Sequence, residues 1–193
     1  MKKLNITLNG TTPLLMNSNQ GVNPTHPLTI ELKKYTGKRK KTDEDHIEIL
    51  KIKWFLALYH DDEIGPYIPA QNVEATIRDA AKRSKRGKDV KIGIRVDPDF
   101  IPLIYEGPRD KATLWDDPNH RDIRVGRIKA SSVMVSRPRF NRWKINFALE
   151  YDEDIFNESE ISDILNVAGR YVGLCDYRER YGHFEVVIQN GQT

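Results

Sequence analysis

Cysteine is almost absent from this 193-residue chain: Cys175 is its one thiol. One cysteine cannot form an intramolecular disulfide, and it excludes a multi-cysteine zinc site. A reducing cytoplasm is the expected compartment. No apolar run approaches the roughly 20 residues a bilayer-spanning helix needs, so no membrane partner is expected. The start, Met1-Lys2-Lys3-Leu4-Asn5-Ile6-Thr7, turns polar before a signal-peptide core forms. Charge of one sign is also scarce in total. Lys and Arg sum to 31 and Asp and Glu to 28, a formal +3. That permits a polyanionic partner without demanding one. The five histidines show no HxxxH or HExxH spacing, and no Gly-Lys-Ser/Thr ending marks a P-loop, so no metal or cofactor is expected.

Several segments declare their structure. Lys3 to Asn9 alternates, with Leu4, Ile6 and Leu8 on one side, as a half-buried strand does. A long polar loop is expected from Asn17 to His26. Thr42 followed by Asp43, Glu44 and Asp45 reads as a helix start, because a hydroxyl caps and carboxylates favour the positive end of the helix dipole. Ile47, Leu50, Trp54 and Leu58 supply that helix's apolar spacing. A second helix starts near Ala70 or Gln71 and buries Val73, Ile77 and Ala81. Strands are expected at 91–96, 100–106, 122–129, 143–151 and 183–189, and a helix at 158–171 capped by Asn157 or Ser159. Residues 110–122 read as a polar loop. Without an inserted helix the order approaches β-α-β-β-α-β, an α+β, ferredoxin-like (RRM-like) core. One domain over 1–193 is expected, with insertions at about 17–66 and 107–121.

The small net charge conceals long blocks of one sign. Arg121, Arg124, Arg127, Lys129, Arg137, Arg139, Arg142 and Lys144 share a stretch whose one acid is Asp122, with Phe140 and Trp143 interleaved. Single-stranded nucleic acid is held by cations that track phosphates and by aromatic faces that stack on bases. The same residues fit a solvated strand edge with Phe140 and Trp143 in the core. Lys33 to Lys41, including Lys38, Arg39, Lys40 and Lys41, is a second basic run suited to a phosphate backbone or to a solvated insertion. Lys82, Arg83, Lys85 and Arg86 complement the negative end of the helix that precedes them. Gly169-Arg170-Tyr171-Val172-Gly173 and Tyr181-Gly182-His183 suggest a helix cap or a backbone that approaches phosphates closely. Arg170 and Arg178 belong to this stretch. Acids from Glu150 to Asp163 form an opposite-sign patch that suits solubility or a neighbouring subunit. No catalytic grouping can be assigned. His26 and His183 are the candidates for a metal-independent ribonuclease, and neither has a second acid/base partner in view.

Three segments together carry a resemblance. Ile68-Pro69-Ala70-Gln71-Asn72-Val73-Glu74-Ala75-Thr76-Ile77-Arg78 resembles the "IPGSSLKGALR" element of the RAMP superfamily, the CRISPR-associated backbone subunits that coat guide RNA. Ile6 to Leu15 resembles that family's opening strand and its "PL" pair. Ala168 to Val186 resembles its C-terminal glycine-rich loop and last strand. The chain is also similar to a family of phage and prophage proteins with an "RPxFxxW" segment, here Arg137 to Trp143, and an "AGxxVGxGDYRPxxGxF" ending. The resemblance implies a ferredoxin-like core and a non-catalytic protein that binds single-stranded RNA or DNA. It implies copies assembling side by side along the strand. The alternative is a phage protein-interaction module acting on a host defence complex. Departures are present: Ala70, Asn72 and Glu74 replace family Gly, Ser and Lys. Asn17 to Ile30 holds no Asp or Glu, so the family's aspartate-dependent RNA cleavage is not expected. Cys175 stands where the phage relatives have glycine, and Glu179 where they have proline.

Overall fold

The structure, a computed structural model, describes residues 1–128 and 131–190. In chain order it forms β1 (Lys2–Gly10), β2 (Leu14–Leu15), α1 (Pro27–Thr36), α2 (Asp43–Ala57), β3 (His60–Asp61), β4 (Gly65–Pro69), α3 (Ala70–Ala81), α4 (Gly87–Gly93), β5 (Ile94–Asp97) and β6 (Phe100–Pro102). Then come α5 (Lys111–Asp116), β7 (Arg121–Ile128), β8 (Ser131–Phe140), β9 (Lys144–Tyr151), α6 (Glu158–Val167) and β10 (Phe184–Asn190).

Alternation builds the main sheet. Leu4, Ile6 and Leu8 of β1, Ile145, Phe147 and Leu149 of β9, and Ile94 and Val96 of β5 all point inward and are buried. The strands run antiparallel in the order β10-β1-β9-β5. Taken as β1-α3-β5-β9-α6-β10, this is the expected α+β, ferredoxin-like arrangement. Helices α3 and α6 pack together on the inner face through Val73, Ile77, Ala80, Ile161, Ile164 and Leu165. Asn157 is the cap of α6. Its side chain accepts from the Glu160 amide, and Glu160 accepts from the Asn157 amide, each at 2.9 Å.

The other sheet face is open and mostly polar, with Val187 and Ala148 its apolar members. It presents Lys3, Asn5, Thr7 and Asn9 of β1 beside Lys144, Asn146 and Glu150 of β9, Glu185 and Gln189 of β10, and Arg95 and Asp97 of β5. Three cations thus face three carboxylates, and the described residues place no aromatic ring there.

The remaining elements build around one end of this core. Strand β8 pairs with β2 and β7 as a three-stranded sheet, and α2 packs between β8 and α1. Contact on two sides explains why α2 departs from the expected stripe: Ile49, Ile52, Trp54 and Leu56 are buried, whereas Ile47 is exposed. Thr42 caps α2 as expected, in a reciprocal box with Asp45. Helix α1 begins where the expected loop ends and takes in the first part of the expected basic run. His26 accepts from the Leu28 amide, and Pro27 occupies the first helical position, where its missing N–H costs nothing. Helix α5 falls within the expected 110–122 loop and buries Trp115 against Trp54, 5.8 Å between centroids. The described residues contain no helix long and apolar enough to cross a membrane.

Candidate nucleic-acid interface

Residues 173–182 form a curled loop between α6 and β10. Four of its residues take positive φ: Gly173 (79°), Cys175 (66°), Tyr177 (51°) and Gly182 (72°). Backbone bonds fasten it. Leu174 donates to Gly182 O at 2.9 Å, Asp176 to Leu15 O at 3.0 Å, and Gly182 to Pro13 O at 2.9 Å. The Thr76 hydroxyl of α3 donates to Gly173 O at 3.2 Å. These bonds hold the loop against β2 and α3, and its exposed side chains are Tyr177, Glu179 and Arg180.

Three of the arginines singled out from the sequence converge on this loop. In β7 and β8, Asp122 pairs with Arg137 in register and Arg124 with Val135, so Arg124, Arg137 and Arg139 share one face of the hairpin. Arg137 forms an ion pair with Asp176 of the loop. Arg124 is bound by the Asp122 carboxylate, donates to the Tyr181 hydroxyl at 2.9 Å, and lies over the rings of Tyr181 and Tyr177 at 5.1 and 5.8 Å. The Asp122 carboxylate holds the Arg124 guanidinium above its ordinary pKa. Arg178 reaches the other way, to the Asp79 carboxylate of α3 at 3.1 Å. Asp79 also accepts from Lys82 at 2.7 Å. Burial pushes its carboxyl up, but Lys82 and Arg178 outweigh that and leave its pKa lowered. Asn17, Tyr59, Asn72, Ala75, Thr76, Cys175, Asp176 and Arg178 line a pocket of 240 Å³ beneath the loop. That volume is small for a complete drug-sized ligand and suits one phosphate or the edge of one base.

The other sequence candidates lie elsewhere. Phe140 is fully buried and packs edge-to-face against Tyr105 and at a tilt against His120. Trp143 is 4% exposed, donates to Thr12 O at 2.8 Å and packs edge-on against Phe184. The stacking role considered for these two required exposure, and the core holds both. Arg139 donates to Asn141 at 2.8 Å. Exposed Arg142 rims a separate pocket with Tyr105, Glu106 and His120. Lys144 stands on the open sheet face. Lys38 is bound to Asp45 at 2.5 Å, Lys41 donates to Lys38 O at 2.8 Å, and Arg39 and Lys40 are exposed near the C-terminal end of α1. Arg170 lies over Tyr171, 5.3 Å from its centroid. The side chain of Arg127 lies outside the described residues.

The exposed aromatic side chains beside these cations were not among the sequence candidates. Tyr177 is 45% exposed at the loop tip, and Tyr171, 54% exposed, lies under both Arg83 and Arg170. The signal was present: each tyrosine sits among arginines in the glycine-rich stretch. His26 Nδ1 accepts from the Leu28 amide at the start of α1, and His183 Nδ1 donates to Gly169 O at 3.1 Å. No metal-ligating cluster is found among the described residues.

No family model matches the chain, and no curated protein matches it. Among solved structures it is similar to a chain of the cryo-EM structure of the type III-B Cmr-beta bound to cognate target RNA, at 13% identity and a TM-score of 0.53. The likeness covers 97% of this chain and 60% of that one. At that identity the similarity speaks for the fold, and the fold is the ferredoxin-like α+β one.

Proposed function

We propose that this protein is a RAMP-like, non-catalytic binder of single-stranded nucleic acid, RNA above DNA. The observation that carries the reading is that one loop gathers Arg124 and Arg137 of the hairpin beside Tyr177, while its own Arg178 lines a polar pocket against α3. Guanidinium groups suit phosphates, and an exposed ring suits an unstacked base. The solved neighbour, an assembly determined with target RNA bound, favours RNA. The open sheet face is not the platform, because it lacks an aromatic ring among the described residues and its charges balance. Arg39, Lys40 and Arg142 are further exposed cations that add to the positive surface. Neighbouring copies assemble side by side, with the acids from Glu150 to Asp163 facing cations of the next copy.

Titration of labelled single-stranded RNA and DNA across a salt series tests the reading. Affinity must fall as salt rises, because phosphate contacts release counterions. Undetectable binding at low salt overturns it.

A second reading is favoured by one observation. Ile123, Val125 and Met134 form an apolar patch on the hairpin face opposite the arginines, exposed by 41, 65 and 45%. Such a patch suits a protein partner. Co-purification of host proteins that survives nuclease treatment would support that reading.

A further inference from the structure

The corner between α3 and α4 carries a second cationic concavity, lined by Arg78, Lys82, Lys85, Gly87, Lys88 and Lys91. No carboxylate is among these residues. The straightforward account of such lysines is that they satisfy the negative end of α3, and the local backbone argues against it. Arg86 N donates to Ala81 O at 2.9 Å and Lys85 N to Lys82 O at 3.0 Å. With Lys85 left-handed at φ 62°, this is a Schellman cap, which satisfies the last carbonyls from the main chain. The lysine side chains are therefore not needed as caps.

Lys82 and the neighbouring arginines are committed, whereas Lys85, Lys88 and Lys91 are not. Arg86 binds Asp89, Glu160 and the Ile155 carbonyl. Arg83 covers Tyr171. Lys85, Lys88 and Lys91 are exposed and make no ion pair among the described residues. Lys85 also occupies a backbone position that favours glycine, so the chain keeps a cation there against its conformational preference.

The corner is joined to the loop site. One carboxylate, Asp79, touches both: Oδ2 accepts from Arg178 of the loop and Oδ1 from Lys82 of the corner. Along α3, Ala75 lines the loop pocket, and Lys82 at the end of the helix lines the corner seven residues later, roughly 10 Å at helical rise. We infer that the α3–α4 corner is a second phosphate-backbone contact for the same single strand, which runs from the glycine loop along α3 to Lys85, Lys88 and Lys91. This inference rests on the nucleic-acid reading of the loop.

The test compares three proteins on a long homopolymeric RNA across a salt series: the unaltered chain, a corner variant (Lys85→Gly, Lys88→Gln, Lys91→Gln) and a loop variant (Arg124→Gln, Arg178→Gln). A single strand contributes about 0.7 to the slope of log affinity against log salt for each neutralised phosphate, so the corner variant loses about 2 from that slope. On a short oligomer that fills the loop site alone it binds as the unaltered chain does. Lys85→Gly by itself leaves the melting temperature unchanged or raised, which separates lost contact from lost fold. An unchanged slope in the corner variant, with the loop variant weakened, overturns the inference and leaves the loop reading standing. A weakened corner variant beside an unaffected loop variant overturns the loop reading and leaves the corner as the site. No binding by the unaltered chain overturns both.

Discussion

Arg137 of the hairpin and Asp176 of the glycine-rich loop form an ion pair in which the two side chains are 19% and 28% exposed. The pair ties β8 to the loop and also places a carboxylate on the surface proposed to meet phosphate. These two effects separate by mutation. Asp176→Asn strands a partly buried guanidinium and lowers stability by about 1–2 kcal/mol, between the values for exposed and buried pairs. It also removes a negative charge, so RNA affinity rises. Arg137→Gln lowers stability similarly but weakens binding. Thermal unfolding and an RNA titration on both variants check this. Binding changes of the same sign in the two would show that the pair acts through the fold alone.

Tyr177 and Trp143 exchange the roles that their residue types suggest. The indole is in the core, and the phenol is at the loop tip with 45% of its surface exposed. Tyr177→Ala therefore leaves the melting temperature nearly unchanged and costs about 1–3 kcal/mol of RNA binding, the usual worth of one stacked base. Trp143→Ala costs about 3–5 kcal/mol of stability, as large core deletions do. Equal RNA affinity in Tyr177→Ala and the unaltered chain would remove Tyr177 from the interface.

How much was legible in the sequence depended on how far one physical signal ruled each segment. In β1 and β9 apolar and polar residues alternate, in β10 they do so apart from Val187, and in α3 and α6 the apolar stripe has one period, so these elements and the ferredoxin-like order follow from the residues. In β8, Met134, Ser136 and Pro138 on one face blur the alternation, so charge is its plainer signal. Pro138 also argues against a strand interior. In α1 the basic run from Lys33 masks the helix start that His26 and Pro27 supply. The helical spacing around Trp54 was visible, yet the stripe was shifted because α2 packs on two sides. Charge density found the hairpin arginines but could not say which aromatic rings would be exposed. That depends on long-range contacts, such as Trp143 closing over Gly10.

Gly10 and Trp143 yield a prediction that concerns the fold alone. A Cβ built on Gly10 would lie 2.2 Å from Trp143 Nε1 and 2.3 Å from Cε2. The Gly10 amide donates to Trp143 O at 2.9 Å, and the indole is held by Thr12 O, so neither side moves easily. Gly10→Ala therefore overpacks the strand end and destabilises by about 1–3 kcal/mol. Trp143→Phe in the same chain makes room and recovers part of that loss. A denaturant series on the single and double variants reads both. Additive losses would show that the contact is not the cause.

The Cys175 thiol gives the molecule a distinct response to alkaline pH. Burial pushes its pKa from 9.0 up to about 12, with the Asn72 amide, 3.8 Å from Sγ, opposing in part. In the native state the thiol keeps its proton through the range between those two values, whereas in the unfolded chain it gives the proton up. The unfolded state thus binds fewer protons there, and stability falls as pH rises from about 9 toward 12. Any advantage of the unaltered chain over Cys175→Ala is complete below pH 9.0 and shrinks through that window. At neutral pH the thiolate is scarce, so iodoacetamide modifies the folded protein slowly and the urea-unfolded protein quickly. Unfolding curves of both proteins across the alkaline range, with alkylation followed by mass, measure the two effects. A constant stability difference from neutral pH to 12, or fast alkylation of the folded chain, would show that solvent reaches the thiol in the native loop.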